Sequence, residues 1–102
     1  MDYPSSVSEA VDRLLAELTD DLKEEIRSTP PHELWRYHHS LGLHIRNEFG
    51  LWWGNDELLT SCHRARYKNR VTPEGITADD ASATIVEALW ERLYVGGVLE
   101  YK

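Results

Sequence analysis

Arg46 and Asn47 in the middle of the chain, with Asp79, Asp80 and Ser82 further on, are the residues whose types could combine into a polar site. A guanidinium facing a carboxylate makes a two-pronged, charge-assisted pair, and such a pair in a cleft could hold a small polar ligand. The same groups can instead fix one helix on another. Ion-pair and hydrogen-bond networks inside folds are commoner than sites, so the structural role is the expectation here. Arg46 should then pair with Asp79 or Asp80, Asn47 should bond a turn carbonyl, and Asn55 should cap a helix.

His32, His38, His39, His44 and His63 raise the question of a metal. His44 and Glu48 have the i, i+4 spacing that puts two ligands on one helix face. A third ligand is not supplied by the pattern: His38 falls on an apolar stripe, and adjacent His38 and His39 point about 100° apart around a helix. No metal and no cofactor are expected. Cys62 could be a nucleophile only as a thiolate. The neighbouring His63 points to a different side of a helix, so Cys62 reads as a small buried hydrophobe. The chain has no glycine-rich phosphate loop, no serine nucleophile elbow and no paired cysteine knuckle. No catalytic residue is expected, and the reading leans away from an enzyme.

Contact chemistry is better supplied. Arg64, Arg66, Lys68 and Arg70, interleaved with Tyr67, place four cations and no acid in residues 64–70. The whole chain, however, carries a net charge of −7 at a pI of about 5.1, which disfavours nucleic acid and anionic lipid as partners. Among the four tryptophans, Trp52 and Trp90 lie beside apolar stripes and belong to the core. Trp35 and Trp53 are placed to reach the surface, where Trp and Arg serve as interface anchors.

Helices must position these groups. At 102 residues, 41% hydrophobic and 28% charged, the chain has room for one compact domain, residues 1–102, and is too apolar to be disordered. Val7, Ala10, Val11, Leu14, Leu15 and Leu18 repeat at i, i+3, i+4 behind a cap at Ser6 or Ser8, which predicts a first helix. Thr19, with Asp20 and Asp21 behind it, starts a short second one, with Leu22 and Ile26 inward. Pro30 and Pro31 break it and open the next. Leu34, His38, Leu41, Ile45 and Phe49 then mark one face of a central helix over 31–49, ended by Gly50 as a left-handed cap. Asn55 caps another helix with Leu58, Leu59 and Cys62 inward. Thr77 opens a last helix over 77–94 with the stripe Ala81, Ile85, Ala88, Leu89 and Leu93, ended by Gly96 and Gly97.

Between them, the alternation of cations with Ala65, Tyr67, Asn69 and Val71 has the period of a strand. A strand there would need a partner, for which 98–101 is the candidate. The fold predicted is all-α, four to five helices in one domain, with a minor C-terminal strand pair as the one allowance. The 31–49 and 77–94 helices form its principal packed pair.

Ile45, Arg46, Asn47, Phe49, Gly50, Leu51, Trp52, Asn55, Leu58, Leu59 and Cys62 form one block, and Asp79, Asp80, Ala81, Ser82, Ile85, Ala88, Leu89, Trp90 and Leu93 another. With the amphipathic first helix, they resemble a family of short bacterial proteins classed as a domain of unknown function. The resemblance implies a bacterial source and carries no activity, cofactor or catalytic residue. Two places depart from it: Gly75, Ile76, Thr77 and Ala78 form the segment before Asp79 and Asp80 where a His-Pro pair is associated with the family, and Trp53 occupies a turn position suited to a smaller or polar residue.

The functional expectation is a cytoplasmic protein–protein interaction module of accessory, regulatory or immunity type, with Trp35, Trp53, Arg64, Arg66, Tyr67, Lys68 and Arg70 as contact surface. The start of the chain lacks the charged-then-apolar layout of a signal peptide, and one cysteine forms no internal disulfide. No apolar run is long enough to span a bilayer, so no membrane partner is expected. The alternatives are nucleic-acid binding through residues 64–70 and a small-ligand pocket at Arg46, Asn47 and Asp80.

Overall fold

The computed structural model describes residues 2–68 and 75–100. Among them the chain forms α1 (Val7–Glu17), α2 (Asp20–Ser28), a 3-10 helix (Pro31–Tyr37), α3 (Leu41–Glu48), α4 (Asp56–Tyr67) and α5 (Ala78–Glu100). That is six helices and no strand, where four to five helices were expected. None of the described helices is long and apolar enough to cross a membrane.

The helix starts follow from local chemistry. Ser6 accepts from the Glu9 amide at 3.1 Å and Thr19 from the Leu22 amide at 3.2 Å, opening α1 and α2. Thr77 Oγ1 does the same for the Asp80 amide at 3.0 Å, opening α5. Thr77→Ala leaves that amide without its side-chain acceptor and should lower stability by about 1 kcal/mol. Urea unfolding followed by circular dichroism measures this, and an unchanged midpoint would show that the cap contributes nothing.

α5 is the axis of the fold. It packs against α1, α2, the 3-10 helix, α3 and α4, because Ala81, Ile85, Val86 and Leu89 face inward and are buried. Leu14, Ile26, Ile45, Phe49, Leu58 and Cys62 complete the core. The link between α2 and the 3-10 helix is tied to the same axis. Trp90 Nε1 donates to the Thr29 carbonyl at 2.9 Å, the Thr29 and Tyr37 hydroxyls are 2.8 Å apart, and Tyr37 donates to Glu25 at 3.2 Å. Burial raises the Tyr37 pKa above its ordinary 10.0, which keeps the phenol a donor in that chain.

The expected helix over 31–49 is two elements. A 3-10 helix ends at Tyr37, and Ser40, at φ −113° and ψ −89°, lies outside helical geometry before α3 begins. In an unbroken helix the His38 carbonyl would accept from the amide of Gly42. Here Arg46 Nη2 donates to it at 3.1 Å, while the Tyr37 carbonyl takes the Ser40 amide at 3.3 Å. A tertiary contact thus overrides a continuous apolar stripe.

Two further expectations are corrected. Residues 63–67 are helical, since Leu58 and Cys62 bury one face of α4 and hold Arg64 and Arg66 on a helix. Lys68, at φ +56°, ends it. Arg70 and residues 69–74 lie outside the described residues. α5 also continues through Gly96 and Gly97 to Glu100, so 98–100 is helical rather than a strand. A glycine costs a helix only about 1 kcal/mol relative to alanine, which does not by itself terminate one; Tyr101 is outside the described residues.

The corner between α3 and α4 is built on glycine. Gly50 has φ +72°, and the Leu51 amide donates back to the Arg46 carbonyl at 3.2 Å, closing the helix end and burying Leu51. Asn55 accepts from the Leu58 amide at 3.5 Å, capping α4 as expected, and its Nδ2 donates to the Phe49 carbonyl at 2.8 Å and the Pro4 carbonyl at 3.0 Å. Residues 2–6 are thereby strapped across the corner: Pro4 is buried, the Tyr3 ring lies on Gly50, and Arg13 donates to the Asp2 carbonyl.

Candidate functional site

Arg46 is inside the fold, 3% exposed. Nη1 donates to Ser82 Oγ at 2.8 Å, Nη2 to the His38 carbonyl at 3.1 Å, and Nε lies 3.5 Å from an Asp79 carboxylate oxygen without making a hydrogen bond. Its guanidinium carbon is 5.7 Å from the centre of the Trp52 ring, within cation–π range. One side chain therefore holds α3, α5, the break at 38–40 and the aromatic corner together. Gly42 makes room for it, since a Cβ there would be 3.1 Å from Nη1.

The polar set meets in part. Arg46, Asp79 and Ser82 converge, but the Asp79 contact is single and long, not the two-pronged pair expected. Asp79 is 58% exposed at the side chain, so water competes for it and the contact is weak. The Asp80 backbone serves Thr77 and Thr84, whose hydroxyl donates to its carbonyl at 2.8 Å. Asn47 accepts from Trp52 Nε1 at 2.9 Å rather than bonding a turn carbonyl. Asn55 binds backbone at the corner and is not part of this set.

Beside this clamp lies a cleft of about 350 Å³. Pro31, His32, Leu34, Trp35 and His38 form one wall, and Ala83, Val86 and Glu87 of α5 face them. Gly42 and Ser82, both touching Arg46, and Arg66 of α4 complete the lining. The break at 38–40 and the clamp beneath it thus shape the cleft. Trp35 is 75% exposed at this edge. Sequence reasoning identified Trp35, Arg66 and Ser82, weighed His32 and His38 only as metal ligands and missed the rest, because no pattern in the chain marks residues that meet only where a helix is interrupted.

Of the other tryptophans, Trp53 is exposed as expected, whereas Trp52 is not core: it is 47% exposed, its indole N–H directed to exposed Asn47. Trp90 is partly buried and stacks on Tyr94 with ring centres 5.2 Å apart. Arg64, Arg66 and Lys68 are exposed; Arg66 Nη1 also donates to Thr84 at 2.8 Å and sits 3.6 Å from Glu87. Tyr67 packs against His63, ring centres 4.9 Å apart.

His44 Nε2 is 3.4 Å from Glu17 of α1, an interhelix contact, and among the described residues no three His, Cys, Asp or Glu side chains come together as a metal site would need. Cys62 is fully buried, and burial pushes its thiol from 9.0 up to about 12. Alkylation of the native protein should therefore be slow and should become fast on unfolding. The raised value means that the folded state favours the neutral thiol. Its contribution to stability is complete below about pH 9 and is lost as pH rises toward about 12. Cys62→Ala should flatten the fall in urea midpoint over that window; an identical profile in the variant would remove the assignment.

Fold and site together define a small all-helical domain whose most buried charge acts as an internal clamp. Residues 3–93 match the family described as Domain of unknown function (DUF6794), and the chain belongs to that family. Both sequence blocks carrying the resemblance fall inside the matched span. No curated protein and no solved structure matches the chain.

Proposed function

We propose that this domain is a protein–protein interaction module that receives its partner at the cleft between the 3-10 helix and α5. The observation that carries the reading is Trp35. A side chain of its size normally buries most of its apolar area, yet it is 75% exposed beside a preformed concavity. Exposed aromatic groups next to a pocket, with an arginine at hand, are the composition of interface hot spots. Trp53, Arg64 and Lys68 supply secondary contacts in this reading, and a cytoplasmic setting suits the single cysteine.

The test is affinity capture from the native host in mild salt, with wild-type protein and Trp35→Ala in parallel. A stoichiometric protein retained by the wild type and lost by the variant is expected. It should also slow hydrogen exchange in the 3-10 helix. Equal recovery by both proteins, or protection confined to another element, would remove the cleft as the docking site. Nucleic-acid binding through residues 64–70 predicts something different: mobility shifts that weaken steeply with salt and on Arg64→Ala. The burial of Arg46 supports a structural role for that residue over a ligand-binding one.

A further inference from the structure

We infer that the occupant of this cleft is an extended segment of a partner protein that presents an apolar side chain next to an acidic one. This deepens the docking reading above and rests on it. The volume, about 350 Å³, is at the small end of the range of about 300–1,000 Å³ for ligand pockets. It suits one or two side chains of a peptide better than a cofactor. Leu34, Trp35 and Val86 give the apolar group its walls.

The acidic preference comes from Arg66. Thr84 accepts from its Nη1 at 2.8 Å and is itself held by the Asp80 carbonyl at 2.8 Å, so the guanidinium is oriented before any partner arrives. Among the described residues, Nε and Nη2 make no hydrogen bond, and the side chain is 31% exposed. Those donors suit a carboxylate. Exposed His32, and His38, add ring nitrogens to the lining. Glu87 is the acid in the lining, 3.6 Å from Arg66, and it competes with an incoming carboxylate for the same cation. The net charge of −7 slows the approach of an acidic segment, but screening over about 8 Å leaves the bound state to the groups in the cleft.

Selection of a random peptide library on the immobilised full chain, followed by calorimetric titration of the enriched peptides, tests this. The enriched sequences should share an Asp or Glu close to a large apolar residue. Trp35→Ala and Arg66→Gln should each weaken binding by about tenfold or more. Changing the peptide's acid to its amide should weaken binding to wild type and have little further effect on Arg66→Gln. Glu87→Gln, which removes the competing charge, should tighten binding. A basic consensus, or weaker binding by Glu87→Gln, would mean that the cleft favours a cation; the acidic occupant then falls while the docking site stands. Failure to enrich any peptide also overturns this inference, leaving the capture experiment to judge the docking reading. Binding that ignores Trp35 removes both.

Discussion

Arg46→Ala should destabilise the fold by at least about 3–6 kcal/mol, the largest effect expected of any single polar substitution in this chain. The figure follows from two charge-assisted hydrogen bonds at about 1.5–3 kcal/mol each, to Ser82 and the His38 carbonyl. Loss of the contact with Trp52 and the space left behind add to it. At about 4–8 °C per kcal/mol, the melting temperature should fall by more than about 12 °C. Arg46→Lys should recover only a fraction, because an ammonium is a point charge and cannot span both acceptors. Arg46→Met is the sharper control. A buried charge can sometimes be replaced by an apolar group of similar volume without loss, but here the replacement strands two acceptors. Wild-type stability in Arg46→Met, measured by urea unfolding, would end the clamp interpretation. Asp79→Asn should have a small effect, below about 1 kcal/mol, since its partner contact is long and exposed.

Gly50→Ala is the second large effect, about 2–3 kcal/mol, and it has two separable causes. The backbone at φ +72° costs a residue with a side chain about 1–2 kcal/mol. In addition, a Cβ there would lie 2.5 Å from the Tyr3 ring, so residues 2–6 would have to lift from the corner. Gly54 separates the two. It has φ +84° but open space around a would-be Cβ, so Gly54→Ala should show the backbone part alone. A Tyr3→Ala background should reduce the penalty at Gly50 to the Gly54 level. Equal penalties at the two glycines in the native background would show that the Tyr3 contact contributes nothing.

Much of the fold was legible in local signals. Thr19, Asn55 and Thr77 cap the helices they were expected to cap, Ser6 is the one of the two candidate serines that caps α1, and Gly50 adopts the left-handed conformation assigned to it. These features depend on side chains within a few residues, so the chain states them directly. The break at 38–40 was not legible, because Leu34, His38, Leu41 and Ile45 keep helical spacing across it. What interrupts the helix is a guanidinium from beyond the break, held in turn by Ser82 from another helix. The cations after Cys62 misled for a related reason: their alternation has a strand's period, but the burial of Leu58 and Cys62 decides the conformation.

The candidate site was legible only as ingredients. Arg46, Asp79 and Ser82 were expected to meet and do, with the arginine bonding Ser82 rather than gripping a carboxylate in two prongs. Trp35 was placed at the surface correctly, whereas Trp52 was misplaced because a residue beside an apolar stripe can still point outward at a turn. The cleft itself, with Leu34, Val86 and Glu87, could not be read from the chain, since its shape depends on the same tertiary interruption.

The strap formed by residues 2–6 bears on the order in which this molecule assembles. Pro4 and Asn55, 51 positions apart, are bonded, so a growing chain delivers the strap long before its seat has emerged. Until Gly50 and Asn55 are made, Tyr3 and Pro4 have nowhere to dock, and α1 must wait with an unsecured leading end. Closure of the corner accordingly cannot precede the synthesis of Asn55, and amides near Pro4 should gain protection only after α4 has formed.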